Sequence, residues 1–336
     1  MKISRFLKKK YIIPGVNLLL IAGIIICLIS AANIRSSQLS QQAAERWAGE
    51  SKEHYTQVSC FPDSGAALTV ENIESFAGTV DQKLLEASLE APENGSLWTY
   101  AYSGTATLNI SGDYGSAEAE AFGIGGDYFL FHPLQLRSGS YFDDSDLMDD
   151  RVVLDEELAW KLFGSTDLAG MTVRINGLPF YVAGVISRED DRFSLQVMAE
   201  TPRIYLPYSR LQQFQETAIS CYEIVLPDPI TNFATTLVKD NFPLQNSFQL
   251  VENTSRFSAG ATAQVLTSFS ERTISSRNLA YPYWENAARL AENQLALLLA
   301  IGCLLAVFPA VCLIRLIIKE LKYVKHKLKK PGKNIR

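Results

Sequence analysis

The sequence predicts an α+β domain carried on two membrane-spanning helices, and three observations lead to this prediction. Residues 12–34 contain no charged side chain, and residues 295–314 form a second charge-free segment. About twenty helical residues cover about 30 Å, the hydrocarbon thickness of a bilayer. The residues between the two segments mix strand-like alternation with helical periodicity. The alternative is that these two segments are buried core helices, but core helices rarely stay apolar on every face.

Composition excludes several other classes of protein. The chain has 336 residues, of which 47% are hydrophobic and 20% charged, so it is not a disordered tail. Its 5 cysteines are too few for a small disulfide scaffold. Lys and Arg number 31 against 36 Asp and Glu, and many of the basic residues lie at the two ends. The acidic centre argues against nucleic acid as a partner, because phosphate backbones bind a basic face.

The basic ends also predict the topology. Residues 1–11 hold five Lys or Arg and no acid, and residues 315–336 hold nine with one Glu. By the positive-inside rule both termini are cytoplasmic, which places residues 35–290 outside a bacterial cell membrane. The alternative is a cleaved signal peptide, since Ser30-Ala31-Ala32 offers small residues near a cleavage site. The length of the apolar segment favours an uncleaved anchor, because signal-peptide apolar regions run about 7–15 residues.

Local patterns predict the elements of the outer domain. Asn176-Gly177 between two alternating runs is the clearest, because both residues tolerate the positive φ angles of a hairpin turn. Thr69 is a predicted N-cap, and Gly164 is expected to close a helix that starts at Asp155. Strands are expected at 55–61, 97–102, 105–110, 152–154, 172–175, 178–185, 204–206 and 222–226, with 97–102 paired to 105–110. Helices are expected after Thr69 and at 155–163, 210–216 and 230–239.

Two helical stalks are expected between the membrane spans and this domain. Residues 35–48 are predicted to continue the first helix, and residues 282–294 are predicted to lead into the second span from Pro282. Trp284 lies about 16 Å before the second apolar segment at helical rise, too far for an interfacial belt. We therefore expect Trp284 to pack within a stalk, and the two stalks to transmit motion between membrane and domain.

The sequence contains no recognisable catalytic, cofactor or metal motif. It has three histidines, His54, His132 and His326, and none lies in a zinc-protease pattern. Residues 123–126 superficially resemble a dinucleotide loop, but the glycine spacing fits a strand-to-turn junction better. The acidic residues between 143 and 150 lack the ligand order of a calcium loop, so a solvated turn is expected. We predict no catalytic residue, no cofactor and no metal, and thus a protein that is not an enzyme.

Three other features give candidate sites. Cys60 and Cys221 fall in the outer domain and could form a disulfide, a question that spacing alone leaves open. Pro309 lies in the second apolar segment and could act as a flex point, although a kink tolerated by packing is the alternative. Lys322, Lys325 and Lys329 follow that segment and could contact a partner subunit or anionic lipid.

Several motifs, in the order in which they occur along the chain, resemble those of one known family. They are AFGIGGDYF at 121–129, LQLRSGSYF at 134–142, VVLDEELAWKLFG at 152–164, LAGMTV at 168–173 and FYVAGV at 180–185. The chain resembles the extracytoplasmic domain of MacB/FtsX-type ABC-transporter permeases over residues 1–318. The resemblance implies a porter-like α/β part with a smaller β-rich insertion, raised on stalks above the bilayer. It also implies mechanotransmission, in which a cytoplasmic ATPase subunit closes a permease dimer and the outer domains move in response.

The sequence departs from the family pattern in its number of spans. Typical members have four, with a cytoplasmic loop after the second that contacts the ATPase, whereas this sequence offers two. The lysine-rich residues 319–330 occupy the start of that loop and could meet an ATPase, a companion permease chain or lipid. The resemblance predicts a permease-like subunit, homo- or heterodimeric, that couples an ATPase partner to a moving outer domain. The alternative is a membrane-anchored binding or assembly protein without an ATPase partner.

Overall fold

The computed structural model describes residues 2–51, 53–89, 95–143, 148–245, 247–267 and 281–328. The chain forms two compact units. One comprises residues 1–36, 258–269 and 292–336, and the other comprises residues 37–257 and 270–291. The second unit contains the sheet and is called the sheet domain below.

Ten helices and ten strands are described. The helices are α1 (Lys2–Ser37), α2 (Ala43–Ala48), α3 (Val70–Glu86), α4 (Tyr128–Phe131), α5 (Glu156–Phe163), α6 (Ser194–Val197), α7 (Tyr208–Phe214), α8 (Phe233–Asn241), α9 (Ala259–Thr267) and α10 (Tyr283–Leu328). The strands are β1 (Tyr55–Pro62), β2 (Thr99–Gly112), β3 (Gly115–Gly126), β4 (Leu136–Gly139), β5 (Arg151–Asp155), β6 (Thr172–Ile175), β7 (Leu178–Ile186), β8 (Arg203–Pro207), β9 (Cys221–Pro227) and β10 (Phe248–Glu252). The mixture confirms the predicted α+β class.

The helices α1 and α10 each contain a stretch long and apolar enough to cross a membrane. Most of their large apolar side chains are exposed, which suits a lipid environment rather than a protein core. The two helices approach closely at Gly23, because a Cβ added there would lie 3.0 Å from Leu305 Cδ1. Small residues allow such close helix packing in membranes. Two candidate transmembrane helices are thus present, as the sequence predicts.

The ten strands form one mixed sheet in the order β10-β1-β9-β2-β3-β8-β5-β7-β4, with β6 paired to β2 and β7. The pairs β3–β8 and β5–β7 are parallel, and the others are antiparallel. The helices α3 and α8 cover one face of β1 and β9 through a buried apolar cluster that includes Phe76 and Val80. A second buried apolar cluster centres on β5, β7 and α5. A third buried apolar cluster includes Ala43 of α2 and Trp284 of α10.

Several local predictions are confirmed. Thr69 caps α3 in a reciprocal capping box with Asn72, and Gly164 ends α5 in a left-handed conformation. The β6–β7 hairpin turns through Asn176 and Gly177, whose φ angles are 49° and 83°. These positive angles are those of a type I′ turn, which matches the twist of the flanking strands.

One strand prediction is wrong. Residues 97–102 and 105–110 are not paired strands, because β2 runs without interruption through Ser103 and Gly104 and pairs with β3 along its length. Its hairpin turn instead lies at Asp113 and Tyr114, since Gly112 pairs with Gly115. Gly104 is needed for close approach rather than for a turn, because a Cβ there would lie 2.7 Å from the Ala218 carbonyl oxygen.

The predicted continuous stalk at 35–48 is also interrupted. Helix α1 ends at Ser37, a single 3-10 turn covers Leu39–Gln41, and α2 begins at Ala43. The Gln57 side chain accepts a hydrogen bond from the Ala43 N–H at 2.9 Å and donates one to the Ser40 carbonyl at 2.8 Å. The Ala43 N–H and the Ser40 carbonyl therefore form hydrogen bonds with a side chain of β1 rather than with the next helical turn.

The start of α10 packs against the sheet domain. Trp284, Ala287, Ala288 and Ala291 are all buried. The Trp284 ring contacts the rings of His132 and Phe122 at centroid distances of 4.2 and 6.3 Å. This part of the stalk predicted at 282–294 therefore belongs to the core of the sheet domain.

Candidate functional site

The predicted site residues do not form one constellation. Lys322 and Lys325 are exposed on α10, and Pro309 lies within the same unbroken helix. Lys329 lies outside the described residues. Their roles as a lipid or partner contact and as a flex point therefore stay predictions.

Cys60 and Cys221 are free thiols, and the strand register explains why they do not pair. Cys60 lies opposite Tyr222 on the neighbouring strand, so Cys221 projects to the other face of the sheet. The two side chains accordingly belong to different apolar clusters. Burial, with a smaller contribution from Glu223, raises the pKa of both thiols well above the ordinary value. Both are therefore inert structural thiols.

The described residues contain no group of three or more His, Cys, Asp or Glu that could hold a metal ion. Within the acidic run, Asp144 and Asp146 lie outside the described residues, and Asp149 accepts a hydrogen bond from the Ser209 hydroxyl at 2.9 Å. Residues 123–126 form the end of β3, as the strand-to-turn interpretation predicts.

The main polar feature of the described residues is a continuous set of hydrogen-bonded side chains inside the sheet domain. We call it the buried polar network. Each member is at most 6% exposed, and an isolated buried polar group would be strongly destabilising, so such groups are stable only when they satisfy one another. The members are Gln41, Gln57, Ser59, His132, Glu223, Asn253, Arg256 and Glu285.

Glu223 on β9 lies at the centre of this network. Its Oε1 accepts hydrogen bonds from Ser59 Oγ at 2.9 Å and Gln57 Nε2 at 3.3 Å. Its Oε2 lies 2.5 Å from His132 Nε2. A carboxylate oxygen accepts, so we assign a ring proton to Nε2 of His132.

A second part of the network ties the start of α10 to the sheet domain. Arg256 donates to both oxygens of Glu285, at 2.8 and 3.2 Å, and to Gln41 Oε1 at 2.7 Å. Asn253 donates to the same Gln41 oxygen at 2.6 Å, and Arg289 donates to Glu285 Oε1 at 2.7 Å. Burial opposes ionisation of Glu285, but the two guanidinium groups outweigh it and lower the pKa of this carboxyl. Glu285 precedes the predicted span and lies in the sheet domain.

Two arginines add further attachments near the network. Arg46 of α2 donates to the carbonyls of Leu130 and Phe131 in α4, at 2.8 and 3.0 Å. Arg203 of β8 lies over the Tyr283 ring at 3.8 Å and contacts Glu189 at 3.3 Å. Stacking on an aromatic face stabilises a buried guanidinium. The segments that follow α1 and begin α10 are therefore each attached to the sheet by charged and polar contacts.

Comparison with known proteins identifies the family. A model described as the MacB-like periplasmic core domain matches residues 19–241, which is more than half of the chain. The chain belongs to the MacB-like periplasmic core domain family.

Individual relatives match over shorter regions. The macrolide export ATP-binding/permease protein MacB of Neisseria gonorrhoeae is 27% identical over 125 residues, which cover 37% of this chain and 17% of that protein. The uncharacterized ABC transporter permease YknZ of Bacillus subtilis is 28% identical over 151 residues, covering 43% of this chain and 37% of that protein. The chain thus matches well under two thirds of the length of either relative.

A solved structure of the periplasmic region of MacB from Actinobacillus actinomycetemcomitans aligns with 65% of this chain and 93% of its own. Its identity is 17% and its TM-score 0.43. The family assignment therefore rests on the sequence match. The chain thus combines a MacB-like periplasmic core domain with two candidate transmembrane helices.

No sequence motif reveals the buried polar network. His132 is one of three histidines and directly follows three aromatic residues and a leucine at 128–131, yet its hydrogen-bond partner is not close in sequence. Its partner Glu223 is 91 residues away. One signal was available: Gln57, Ser59 and Glu223 interrupt otherwise apolar strands, and polar residues at buried strand positions indicate a polar contact.

Proposed function

We propose that this MacB-like chain is a non-catalytic permease subunit that couples a cytoplasmic ABC ATPase to movement of its extracytoplasmic domain. One observation carries the proposal. The segment after α1 and the first turns of α10 are both joined to the sheet by the buried polar network, through Gln41 and Glu285. A buried hydrogen-bonded network transmits displacement better than a flexible linker does, because packed interiors deform little.

The interruption of the first stalk supports the same proposal. A continuous helix could rotate or slide against the domain, whereas the turn at Leu39–Gln41 fixes its end through side chains. Gln57 donates to the Ser40 carbonyl and Arg46 donates to the Leu39 carbonyl, both within this turn. Movement of α1 along its axis would therefore pull on β1 and α4, and movement of α10 would act through Arg256.

The partners in this proposal are a cytoplasmic ATPase subunit and a companion permease chain, in a homo- or heterodimer. The Neisseria gonorrhoeae relative is named an ATP-binding/permease protein, which supports an ATPase partner for this chain. We propose that residues 35–290 face the outside and both termini the cytoplasm. Protease added to intact cells should then cleave the sheet domain and spare the basic ends, and the reverse pattern contradicts this topology.

The lysines that follow the second span are proposed to bind anionic lipid. Each lysine near an anionic surface contributes about 1 kcal/mol, so replacing Lys322, Lys325 and Lys329 with Gln should weaken binding to anionic vesicles. ATPase coupling should stay intact, as measured by ATP hydrolysis of the purified complex. Loss of coupling with unchanged vesicle binding would instead assign these lysines to an ATPase contact.

Co-purification distinguishes the proposal from its alternative, a membrane-anchored binding or assembly protein without an ATPase. A nucleotide-binding subunit retained after mild detergent extraction supports coupling, and its repeated absence supports the alternative.

Coupling itself is tested by Gln41→Ala, which removes the acceptor shared by Asn253 and Arg256. We expect the ATPase to be retained but transport or resistance to fall, whereas the control Gln249→Ala on exposed β10 should have no effect. Wild-type transport by Gln41→Ala would contradict the coupling role.

A further inference from the structure

Helix α9 belongs to the unit that contains the two candidate transmembrane helices. This unit comprises residues 1–36, 258–269 and 292–336. On α1 it ends two residues after the apolar segment 12–34, and on α10 it begins three residues before the apolar segment 295–314. These offsets are about 3–5 Å at helical rise, so the edge of the unit coincides with the edge of the membrane segments. Because Ser258 is the first residue after the chain enters the unit, α9 begins at this edge.

One face of α9 is packed and the other is exposed. Thr262 and Val265 are 4% and 3% exposed and lie on the same side of the helix. The exposed residues form one continuous arc on the other side. They are Ala259, Gly260, Ala263, Gln264, Leu266 and Thr267. A Cβ added at Gly260 would meet no atom within 4 Å, and Leu266 is 41% exposed, so this arc is an open surface.

This exposed face carries no charged residue. Residues 257–270 contain no Asp, Glu, Lys or Arg. Among the described helices of eight residues or more, α9 alone lacks charged residues. By contrast, α3, α5 and α8 expose Glu74, Lys161 and Asp240. Because helix faces turned to water normally carry charged and polar side chains, the composition of α9 favours a less polar environment.

The hydroxyl groups of α9 are hydrogen-bonded within the helix. Thr267 Oγ1 donates to the Gln264 carbonyl at 2.7 Å, and Thr262 Oγ1 donates to the Ser258 carbonyl at 2.7 Å. Ser258 Oγ accepts from the Ala261 N–H at 3.2 Å, which satisfies a donor of the first turn. Unpaired polar groups are costly in lipid, whereas paired ones are tolerated there. The exposed face can therefore meet lipid without an unpaired hydroxyl group.

We propose that α9 lies at the membrane surface and that its exposed face contacts lipid of the leaflet at which α1 ends and α10 enters. Two observations identify lipid as the occupant. The face belongs to the same unit as the spans, whose apolar side chains are themselves exposed, such as Leu304 at 74%. It also has no charge that would oppose contact with lipid. This contact attaches the connection between β10 and α10 to the bilayer, a role separate from ATPase coupling.

Spin labels on the purified full chain test this proposal in vesicles of phosphatidylethanolamine and phosphatidylglycerol. Cys27, Cys303 and Cys312 are first replaced by alanine, and the buried Cys60 and Cys221 are kept. Each label reports its collisions with oxygen, which is enriched in lipid, and with a nickel chelate, which is confined to water. The ratio of the two collision rates distinguishes lipid from water around the label.

Labels at Ala263→Cys and Leu266→Cys report on the exposed face. Leu304→Cys gives the ratio for lipid, and Leu178→Cys, at a 52% exposed leucine of β7, gives the ratio for water. We expect the oxygen-to-nickel ratio at 263 and 266 to be several-fold above that at 178. A ratio equal to that at 178 overturns the proposal. Weak collisions with both reagents also overturn it, because they indicate protein, such as a second copy of this chain, on the face. A water-like ratio at Leu304→Cys overturns it together with the membrane spans.

A charge placed on the face provides a second test. Leu266→Asp should lower the oxygen-to-nickel ratio of a label at Ala263→Cys several-fold, because a carboxylate favours water over lipid. The matched change Leu178→Asp should leave that ratio unaltered. An unaltered ratio with Leu266→Asp refutes the lipid contact. If Leu266→Asp fails to fold, the labels at 263 and 266 still decide. No ATPase is present in these vesicles, so failure here is distinguishable from failure of the coupling proposal.

Discussion

Removing the Glu285 carboxylate should strongly destabilise the sheet domain. Glu285 is 1% exposed and receives three guanidinium hydrogen bonds, two from Arg256 and one from Arg289. Glu285→Ala removes the carboxylate from the buried Arg256 guanidinium, which also donates to the neutral Gln41 Oε1 at 2.7 Å. Breaking a buried pair from one side costs about 3–5 kcal/mol. Glu285→Gln retains one acceptor oxygen, so its effect should be smaller, about 1–3 kcal/mol.

The assay is urea unfolding of the full chain in detergent, followed by tryptophan fluorescence. Glu74→Ala on α3 is the matched control, because Glu74 is also helical but exposed, and it should change the free energy of unfolding by less than about 0.5 kcal/mol. A loss below about 1 kcal/mol for Glu285→Ala would refute the argument that this pair anchors α10.

The pH dependence provides a second test of the same residue. The folded pKa of Glu285 lies below its ordinary value of 4.5, so the folded state favours the ionised carboxylate. Its contribution to stability is therefore fully present above pH 4.5 and is lost as the pH falls through the lower folded pKa. The stability difference between the wild type and Glu285→Gln should shrink in that acid range. A difference that stays constant under acid conditions would show that the charge of Glu285 is not the stabilising feature.

Three further substitutions test local features. Thr69→Ala removes the α3 cap and should lower the free energy of unfolding by about 1 kcal/mol in the same urea assay. Gly177→Ala places a Cβ at a φ of 83° and should destabilise by about 1–2 kcal/mol. Pro309→Ala should reduce transport or resistance if Pro309 is the flex point of α10, because it restores a backbone donor to the helix.

Matched substitutions separate these effects from general sensitivity. Thr79→Ala changes a threonine inside α3 that caps nothing, and it should be neutral or slightly stabilising. Gly78→Ala lies in the same helix with no atom near its added Cβ, and it should stabilise by about 0.5–1 kcal/mol. Equal effects of Gly78→Ala and Gly177→Ala would contradict the turn argument. Unchanged transport by Pro309→Ala would remove the flex-point hypothesis.

The sequence determined the features that depend on neighbouring residues. The uninterrupted apolar segments, the α3 cap at Thr69, the Gly164 terminus of α5 and the hairpin at Asn176-Gly177 each arise from a few adjacent residues, and the structure contains them all. The weakest local prediction concerned residues 97–110. There two paired strands were predicted, but sheet pairing on both sides kept β2 continuous.

Only the tertiary structure decided how the polar residues meet. Gln41 and Arg256 are 215 residues apart, and Gln57 and Glu223 are 166 apart. No short motif can encode such pairs, because their proximity depends on the strand order and register of the whole sheet. The same register separates Cys60 from Cys221 by placing them on opposite faces. Interactions between neighbouring residues thus determine the helices, the hairpin turn and the apolar segments. Long-range strand pairing instead brings together the side chains of the buried polar network.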